Sequence, residues 1–264
     1  MLPAEYEITG KTVFVTGAGR VIGKGIARVL AEAGADVAIN ALTPTYVTEL
    51  AKEIADETGR QVIPIIGDVT KADSANAAVQ EVLATFSKLD VLVNALGDSL
   101  KESLVGLPDG DRPGQPISDE DLKFILDINL SEALYCTRAA GPHMLERRSG
   151  KVINISSWTG IQGGGNLVLY TAAKAGLVGF TRAQALEWAP YGIQVNSIAP
   201  GLFPDIMTGG QERFDEMTAR ARQTVPVGPH GELREAGLLA LYLASSASDY
   251  MTGQTLMLDG GLGL

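Results

Sequence analysis

Tyr170 and Lys174 stand four residues apart in Y-T-A-A-K, inside an apolar, alanine-rich stretch that reads as helix. A phenol and an ammonium then share one helical face. A free tyrosine, with a pKa of about 10, stays protonated at neutral pH, but a neighbouring cation favours the phenolate. The pair can therefore work as a general acid–base. Two residue types at one spacing also describe a lysine snorkelling beside a half-buried tyrosine. The elements around the pair decide between these: a serine-ended strand, N-I-S-S (Asn154 to Ser157), precedes it, and a glycine-rich turn lies near the start of the chain.

That turn runs T-G-A-G-R-V-I-G from Thr16 to Gly23, between a β-rich run, Lys11 to Thr16, and a helical stretch, Gly23 to Ala33, that stops at Gly34. Gly17 and Gly19 fall where backbone must pass close to a ligand, and Gly23 where the helix packs close to the strand. Amides at the helix start can hold a pyrophosphate. Gly17, Gly19, Arg20, Ile22 and Gly23 are thus candidate dinucleotide contacts. The second strand, Asp36 to Asn40, bears on which dinucleotide. A ribose with free hydroxyls is usually met by an acidic residue about 20 residues beyond the glycines, and a 2′-phosphate would be repelled by it. Here the strand ends N-A-L-T without a carboxylate. Asn40 and Thr43 offer neutral hydrogen bonds and Arg20 a cation, so NADP(H) is favoured and NAD(H) is the alternative.

Behind these residues the chain alternates. Tyr46 to Thr58 and Ser74 to Ser87 read as helices, Val62 to Ile66 as a third strand, and Val91 to Asn94, Val152 to Ser156, Gln194 to Ile198 and Thr255 to Leu258 as further apolar strands. Such runs suit a parallel sheet covered on both faces. The expected fold is α/β, a Rossmann-type doubly wound parallel sheet of about seven strands, with residues 1–264 as one domain. Two segments break the rhythm. Asp98 to Ile117, rich in Gly and Pro, reads as a long surface loop ahead of a capping-box start at Ser118 to Asp121. Gly201 to Gly231 follows a strand end, where ligands of open α/β sheets bind, and residues 202–231 are expected to form a substrate lid.

Composition bounds the partners. With 45 % hydrophobic and 20 % charged residues the chain is globular, and a net charge of −10 argues against nucleic acid or an anionic membrane. One cysteine, Cys136, and two histidines, His143 and His230, make neither an internal disulfide nor a standard zinc set, so no metal is expected. Cys136 lies in an apolar helical run and reads as buried and structural. The N-terminus lacks a basic, then apolar leader, and no run is long and apolar enough to span a membrane, which makes the cytoplasm the default location.

Taken together, Thr16-Gly17 with Gly23, Asp68-Val69, N-A-L-G (Asn94 to Gly97), Asn129 in D-I-N-L, Ser157, Tyr170 with Lys174, and Pro200-Gly201 identify the chain as a member of the short-chain dehydrogenase/reductase family, over essentially its whole length. The resemblance implies that Asp68 and Val69 contact the adenine, that Asn94, with Ala95 and Gly97 beside it, lies near the adenosine ribose, and that the segment from Pro200 and Gly201 through Phe203 cradles the nicotinamide carboxamide. Family serines lie thirteen residues before the tyrosine, which selects Ser157 over Ser156. In the family's scheme Ser157 hydrogen-bonds the substrate oxygen and Tyr170 exchanges a proton with it. Lys174 holds the ribose and lowers the tyrosine pKa, and Asn129 positions a proton-relaying water. The implied activity is hydride transfer between a nicotinamide cofactor and a small-molecule ketone or secondary alcohol, and the family also implies a homo-oligomer, a tetramer.

Several positions depart from the family's pattern. Val21 replaces its middle glycine, so the backbone there is expected to take a conformation a β-branched residue accepts. N-A-L-G replaces N-N-A-G, and Asp205 stands where a threonine often touches the carboxamide. Two alternatives accompany the main expectation. One is a 3-oxoacyl-carrier-protein reductase docking through Arg147, Arg148 and Lys151, although Leu186 stands where such enzymes often carry arginine and the net charge repels an acidic carrier. The other is a non-catalytic cofactor-binding protein, disfavoured by the intact set of four. The resemblance places the substrate pocket in Asp98 to Ile117, Trp158 to Leu169 and Leu202 to His230, where Trp158, Leu169, Phe203 and Met207 are apolar and Gln162 and Asn166 polar.

Overall fold

A computed structural model of the chain describes residues 3–106, 116–206 and 209–264. Seven strands, β1 (Thr12–Val15), β2 (Asp36–Ala41), β3 (Val62–Ile66), β4 (Val91–Asn94), β5 (Gly150–Ile155), β6 (Ile193–Pro200) and β7 (Thr255–Leu258), form one sheet. It is ordered β3-β2-β1-β4-β5-β6-β7 and every pair is parallel. Because side chains alternate along a strand, each strand feeds two cores. Val13, Val15, Val37, Ile39, Val91, Val93, Ile153 and Ile155 face one core, and Phe14, Ala38, Leu92 and Val152 the other.

The first core is closed by α1 (Val21–Glu32), α2 (Pro44–Thr58) and, later in the chain, the helix Leu233–Ala244. The second is closed by α3 (Ala72–Phe86), a helix over Glu132–Arg147 and one over Val168–Trp188. In chain order the helices after α3 are α4 (Asp119–Leu126), α5 (Glu132–Arg147), the short α6 (Thr159–Gln162), α7 (Val168–Trp188), α8 (Gly210–Thr224) and α9 (Leu233–Ala244). A π-helical turn, Asp127–Ser131, joins α4 to α5. The expected strands all appear, three with the expected bounds, and α2 begins two residues early because Pro44 supplies a preset φ at its first turn. The Ser118 hydroxyl accepts from the Asp121 amide at 3.1 Å, and the Ser118 amide donates to the Asp121 carboxylate at 3.1 Å, closing the expected capping box.

The lid segment differs from its loop-like appearance in sequence. It contains α8, whose sequence G-Q-E-R-F-D-E-M-T-A-R-A-R-Q-T is polar nearly all round and buries only Ala221, so it shows no apolar stripe to be recognised by. Of the residues expected in the two irregular segments, Pro108, Gly110, Pro113, Gly114 and Met207 lie outside the described residues.

α1 and α9 cross on the first core at two glycines. A methyl group at Gly25 would lie 2.4 Å from the Leu233 carbonyl oxygen, and one at Gly237 would lie 2.5 Å from Val29 Cγ2 and 2.7 Å from the Gly25 carbonyl oxygen. Since α1 carries the first turn, this contact fixes where the turn sits. Gly237→Val is expected to lower stability by about 1–3 kcal/mol through overpacking, a fall of several degrees in Tm by thermal denaturation. An unchanged Tm would mean that the two helices separate freely.

Candidate active site

The strand order reverses direction between β1 and β4, and in open α/β sheets ligands bind at such a switch point, beyond the carboxyl ends of the strands. Thr16 closes this point. Its amide donates to the Val93 carbonyl at 3.0 Å, and its hydroxyl accepts from the Ala95 amide at 3.0 Å. Gly17, at φ +60°, presses on the next loop so closely that a Cβ would lie 2.6 Å from Leu96 Cα, and a Cβ at Gly23 would meet the Gly17 carbonyl oxygen at 2.7 Å. Gly19 has only ordinary contact distances, 3.6 Å to Ala41 and Tyr46, so the protein itself leaves room there for a side chain. Ile22 packs against the first core.

Val21 overturns the expectation for its backbone, which lies at φ +48°, in the left-handed region a β-branched residue rarely adopts. The close packing of Gly17 and Gly23 dictates the path of the turn, and Val21 follows it at a cost of about 1–3 kcal/mol. Its amide donates to the Asp205 carboxylate at 3.0 Å. A hydrogen bond to a charged group contributes about 1.5–3 kcal/mol, enough to offset such strain. Asp205, expected at the carboxamide, thus ties the segment after β6 to the first turn.

A cleft of about 360 Å³ opens beyond the carboxyl ends of β2, β3 and β4, lined among others by Asn40, Leu42, Asp68, Val69, Leu96 and Ile128. Asp68 is held by the Thr70 amide and hydroxyl, at 3.1 and 2.5 Å, and Val69 is buried. Two expected contacts have their side-chain donors engaged within the protein. The Asn40 amide group donates to the Ile65 and Gly67 carbonyls, both at 3.1 Å, so it stitches β2 to β3 and has no donor left for a ribose. The Asn94 amide group donates to Thr137 Oγ1 at 3.1 Å and Asn154 Oδ1 at 2.8 Å, and so braces β4 against α5 and β5. At both positions the two side-chain donors find acceptors within the protein, while Asn94 Oδ1 is buried without a partner among the described residues. Thr43 is exposed at the start of α2, and the Arg20 guanidinium lies 6.0 Å from the Tyr46 ring centroid, at the end of β2.

Asn129, Ser157, Tyr170 and Lys174 converge beyond β4 and β5. Asn129 sits on the π-helical turn, a distortion frequent at functional sites. Its amide donates to the carbonyls of Asp98 at 2.8 Å and Ile125 at 3.0 Å. Gly97 packs between Asn129 and Lys174, since a Cβ there would lie 2.9 Å from Asn129 Oδ1 and 3.1 Å from Lys174 Nζ. Lys174 is 3 % exposed and donates to the Ile155 carbonyl at 2.8 Å. Burial lowers its pKa to about 8, opposed by the charge of Glu132. The two serines part company here. Ser156 donates to the Lys174 carbonyl at 3.0 Å, whereas the Ser157 hydroxyl accepts from the Thr159 amide at 3.2 Å and stands beside Tyr170.

Tyr170 departs from the expected electrostatics. Its pKa is raised, first by burial and also by the Asp98 charge, with the Ser157 hydroxyl pulling it down. Lys174 Nζ is 5.8 Å from its ring centroid, and desolvation outweighs the Ser157 hydrogen bond. Pro200 and Gly201 close β6, where the Gly201 amide donates to the Leu258 carbonyl at 2.9 Å. Phe203 is buried, with its ring packed against Gly231.

Sequence reasoning passed over two residues of this region. Tyr46 is the surface against which Arg20 rests. Glu132, at the head of α5, is 1 % exposed, with its pKa raised to about 7 by burial, against the opposing influence of the Thr16 hydroxyl and the Lys174 charge. A signal for it was present: a charge set three residues after Asn129 and four before Cys136 must share their inward face.

The donors and spaces of the first turn, the cleft beyond β1 to β4 and the polar cluster at β5 together fit a dinucleotide laid across the switch point. The chain is also similar to known proteins. A family profile described as "Enoyl-(Acyl carrier protein) reductase" matches residues 17–263. The 3-oxoacyl-[acyl-carrier-protein] reductase FabG of Chlamydia muridarum is 36 % identical over 97 % of this chain and 98 % of its own. The 2-dehydro-3-deoxy-D-gluconate 5-dehydrogenase of Bacillus subtilis is 35 % identical over 97 % and 96 %. A gluconate 5-dehydrogenase from Burkholderia cenocepacia, solved in complex with NADP and tartrate, superposes with a TM-score of 0.86 at 32 % identity, covering 98 % of this chain and 97 % of its own. With its sheet, its switch-point cleft and these relatives, the chain belongs to the short-chain dehydrogenase/reductase family and is an NAD(P)-dependent oxidoreductase acting on CH–OH donors.

Proposed function

We propose that the protein is an NADP(H)-preferring alcohol dehydrogenase or carbonyl reductase for a small or medium ketone or secondary alcohol, with Asn129, Ser157, Tyr170 and Lys174 as its working set. The observation that carries this is the convergence of Ser157, Tyr170 and Lys174 beyond β5, with Ser156 turned away into α7. The nicotinamide cofactor, when bound, supplies or accepts the hydride at C4. Gly17, Gly19, Arg20, Ile22 and Gly23 hold its phosphates, Asp68 and Val69 its adenine, and Ala95 and Gly97 line its path, with Pro200, Gly201 and Phe203 at the nicotinamide end. Ser157 donates to the substrate oxygen. Tyr170 gives its phenolic proton to that oxygen during reduction and takes one back during oxidation. Lys174 steadies the ribose side of the site, and Asn129, anchored through Asp98 and Ile125, fixes its surroundings.

A carrier-protein substrate finds less support. Arg147 is paired with Asp90 at 2.7 Å, Arg148 bonds the Pro190 carbonyl at 2.6 Å, and the buried Lys151 is paired with Asp249 at 2.7 Å, so these cations are engaged within the chain. Leu186, 81 % exposed, offers no charge to an acidic partner.

Tyr170→Phe deletes only the proton donor. It should leave cofactor affinity nearly unchanged and lower turnover by about 10²–10⁴-fold, measured by cofactor absorbance on a panel of ketones and secondary alcohols. Retention of more than about a tenth of the rate, well outside that range, would remove Tyr170 from the acid–base role.

The preference for NADP(H) is supported by Arg20 resting on Tyr46 at the end of β2 and by the absence of a carboxylate from Asn40 to Thr43. Ala41→Asp should reverse it, by roughly 1–3 kcal/mol, since the new charge repels a 2′-phosphate and accepts from ribose hydroxyls. Dissociation constants that already favour NADH in the unaltered protein would defeat this assignment.

Residues 202–231 are proposed as a substrate lid carried on α8. The segment is pinned at its neck by the Gly231 amide donating to the Leu202 carbonyl at 3.0 Å, while α8 buries only Ala221. An element with so little burial opens at low cost. Its amides from Gln211 to Thr224 should exchange rapidly in the free protein and slowly with NADP(H) and a substrate analogue bound. Equal, strong protection in both states would make it a fixed element.

A further inference from the structure

Glu132 is a buried acid that none of the proposed steps employs. It begins α5 directly after the π-helical turn that carries Asn129, and its neighbours along the inner face of α5 are Ala133, Cys136, Thr137 and Ala140. Among the described residues its Oε1 is buried without a hydrogen-bond partner. An ionisable group in such a position is costly unless a charge of opposite sign answers it, and an unpaired buried acceptor in a native structure calls for an explanation.

The groups that act on it are few. Thr16, from the carboxyl end of β1, presents a hydroxyl, Lys174, from α7, presents the one opposing charge, and the Cys136 thiol lies one turn further along α5. On the other side of the lysine, the Tyr170 ring centroid is 5.8 Å from Nζ, and Asp98 acts on Tyr170 in turn. The ammonium has a single described hydrogen bond, to the Ile155 carbonyl, so its charge is met by a dipole and by Glu132.

We propose that Glu132 is the buried counter-ion of Lys174, a positioning residue whose carboxylate keeps that lysine an ammonium around neutral pH and so available to the Tyr170 site. The inference rests on the role given to Lys174 under the proposed function. The sign follows from the two groups. Burial pushes Glu132 up and Lys174 down, and the charge of each opposes the other's shift. Without the carboxylate the ammonium is less favoured, and the lysine titrates at lower pH.

The test uses Glu132→Gln, which keeps shape and removes charge, in protein carrying ¹³Cε-lysine, with the Lys174 resonance assigned by its loss in Lys174→Met. The Lys174 titration should move down by about one pH unit, at the lower end of what an opposite charge at close range contributes. The alkaline limb of the kcat/KM profile should move with it, and Glu132→Asp should restore much of both. A Lys174 titration that is the same in Glu132→Gln and in the unaltered protein overturns the proposal. A titration that moves while the rate profile stays fixed overturns the catalytic role of Lys174 instead, which separates the two failures. Should the Gln variant not fold, the reciprocal measurement decides: coupling between two sites is mutual, so the ¹³C-labelled Glu132 carboxyl must titrate at higher pH in Lys174→Met than in the unaltered protein. No change there overturns the proposal equally.

Discussion

A parallel sheet buried on both faces leaves its polar chemistry one place to go. Side chains along β1, β4 and β5 alternate between two apolar cores, so groups that must meet a ligand or exchange protons can gather only where the strands end and the two cores part. The switch between β1 and β4 opens that place, and Thr16 holds it at a fixed width by bonding the Val93 carbonyl and the Ala95 amide. The first turn, the cleft, Asn129, Ser157 and Lys174 are all arranged around those few ångströms.

Burying polar groups at this end of the sheet is made tolerable by a chain of internal partners. Asn94 bonds Asn154 and Thr137, Asn154 bonds Thr181 at 2.9 Å, and Thr181 returns to the Leu177 carbonyl at 2.8 Å. This network ties β4, β5, α5 and α7 together, and through α7 it fixes the helix that carries Tyr170 and Lys174. A low local dielectric strengthens such bonds and makes any one left unmade expensive. The side-chain donors of Asn40 and Asn94 are likewise engaged by the scaffold.

The first turn shows the same precedence of packing over local preference. Val21 accepts a left-handed backbone because Gly17 and Gly23 leave the chain no other route, and Asp205, far along the sequence, holds the strained amide. That bond links the first turn to the base of the segment bearing α8.

Much of this was legible from residue order. Continuous short apolar runs specify strands buried on both faces, glycines at Gly17 and Gly23 specify a tight strand-to-helix turn, and Tyr170 and Lys174 at helical spacing specify a shared face, because each of these rests on chain geometry over a few residues. What tertiary structure alone decided involves partners far apart in the chain. Which asparagine donors remain free depends on acceptors from other strands, and the helix at Gly210–Thr224 has no apolar stripe to announce it. The ionisation of Tyr170 follows from desolvation, which no spacing encodes. The reach of Asp205 to Val21 and the enclosure of Glu132 beside Lys174 exist only once β1, α5 and α7 are packed, since electrostatic coupling depends on distance through space and not along the chain.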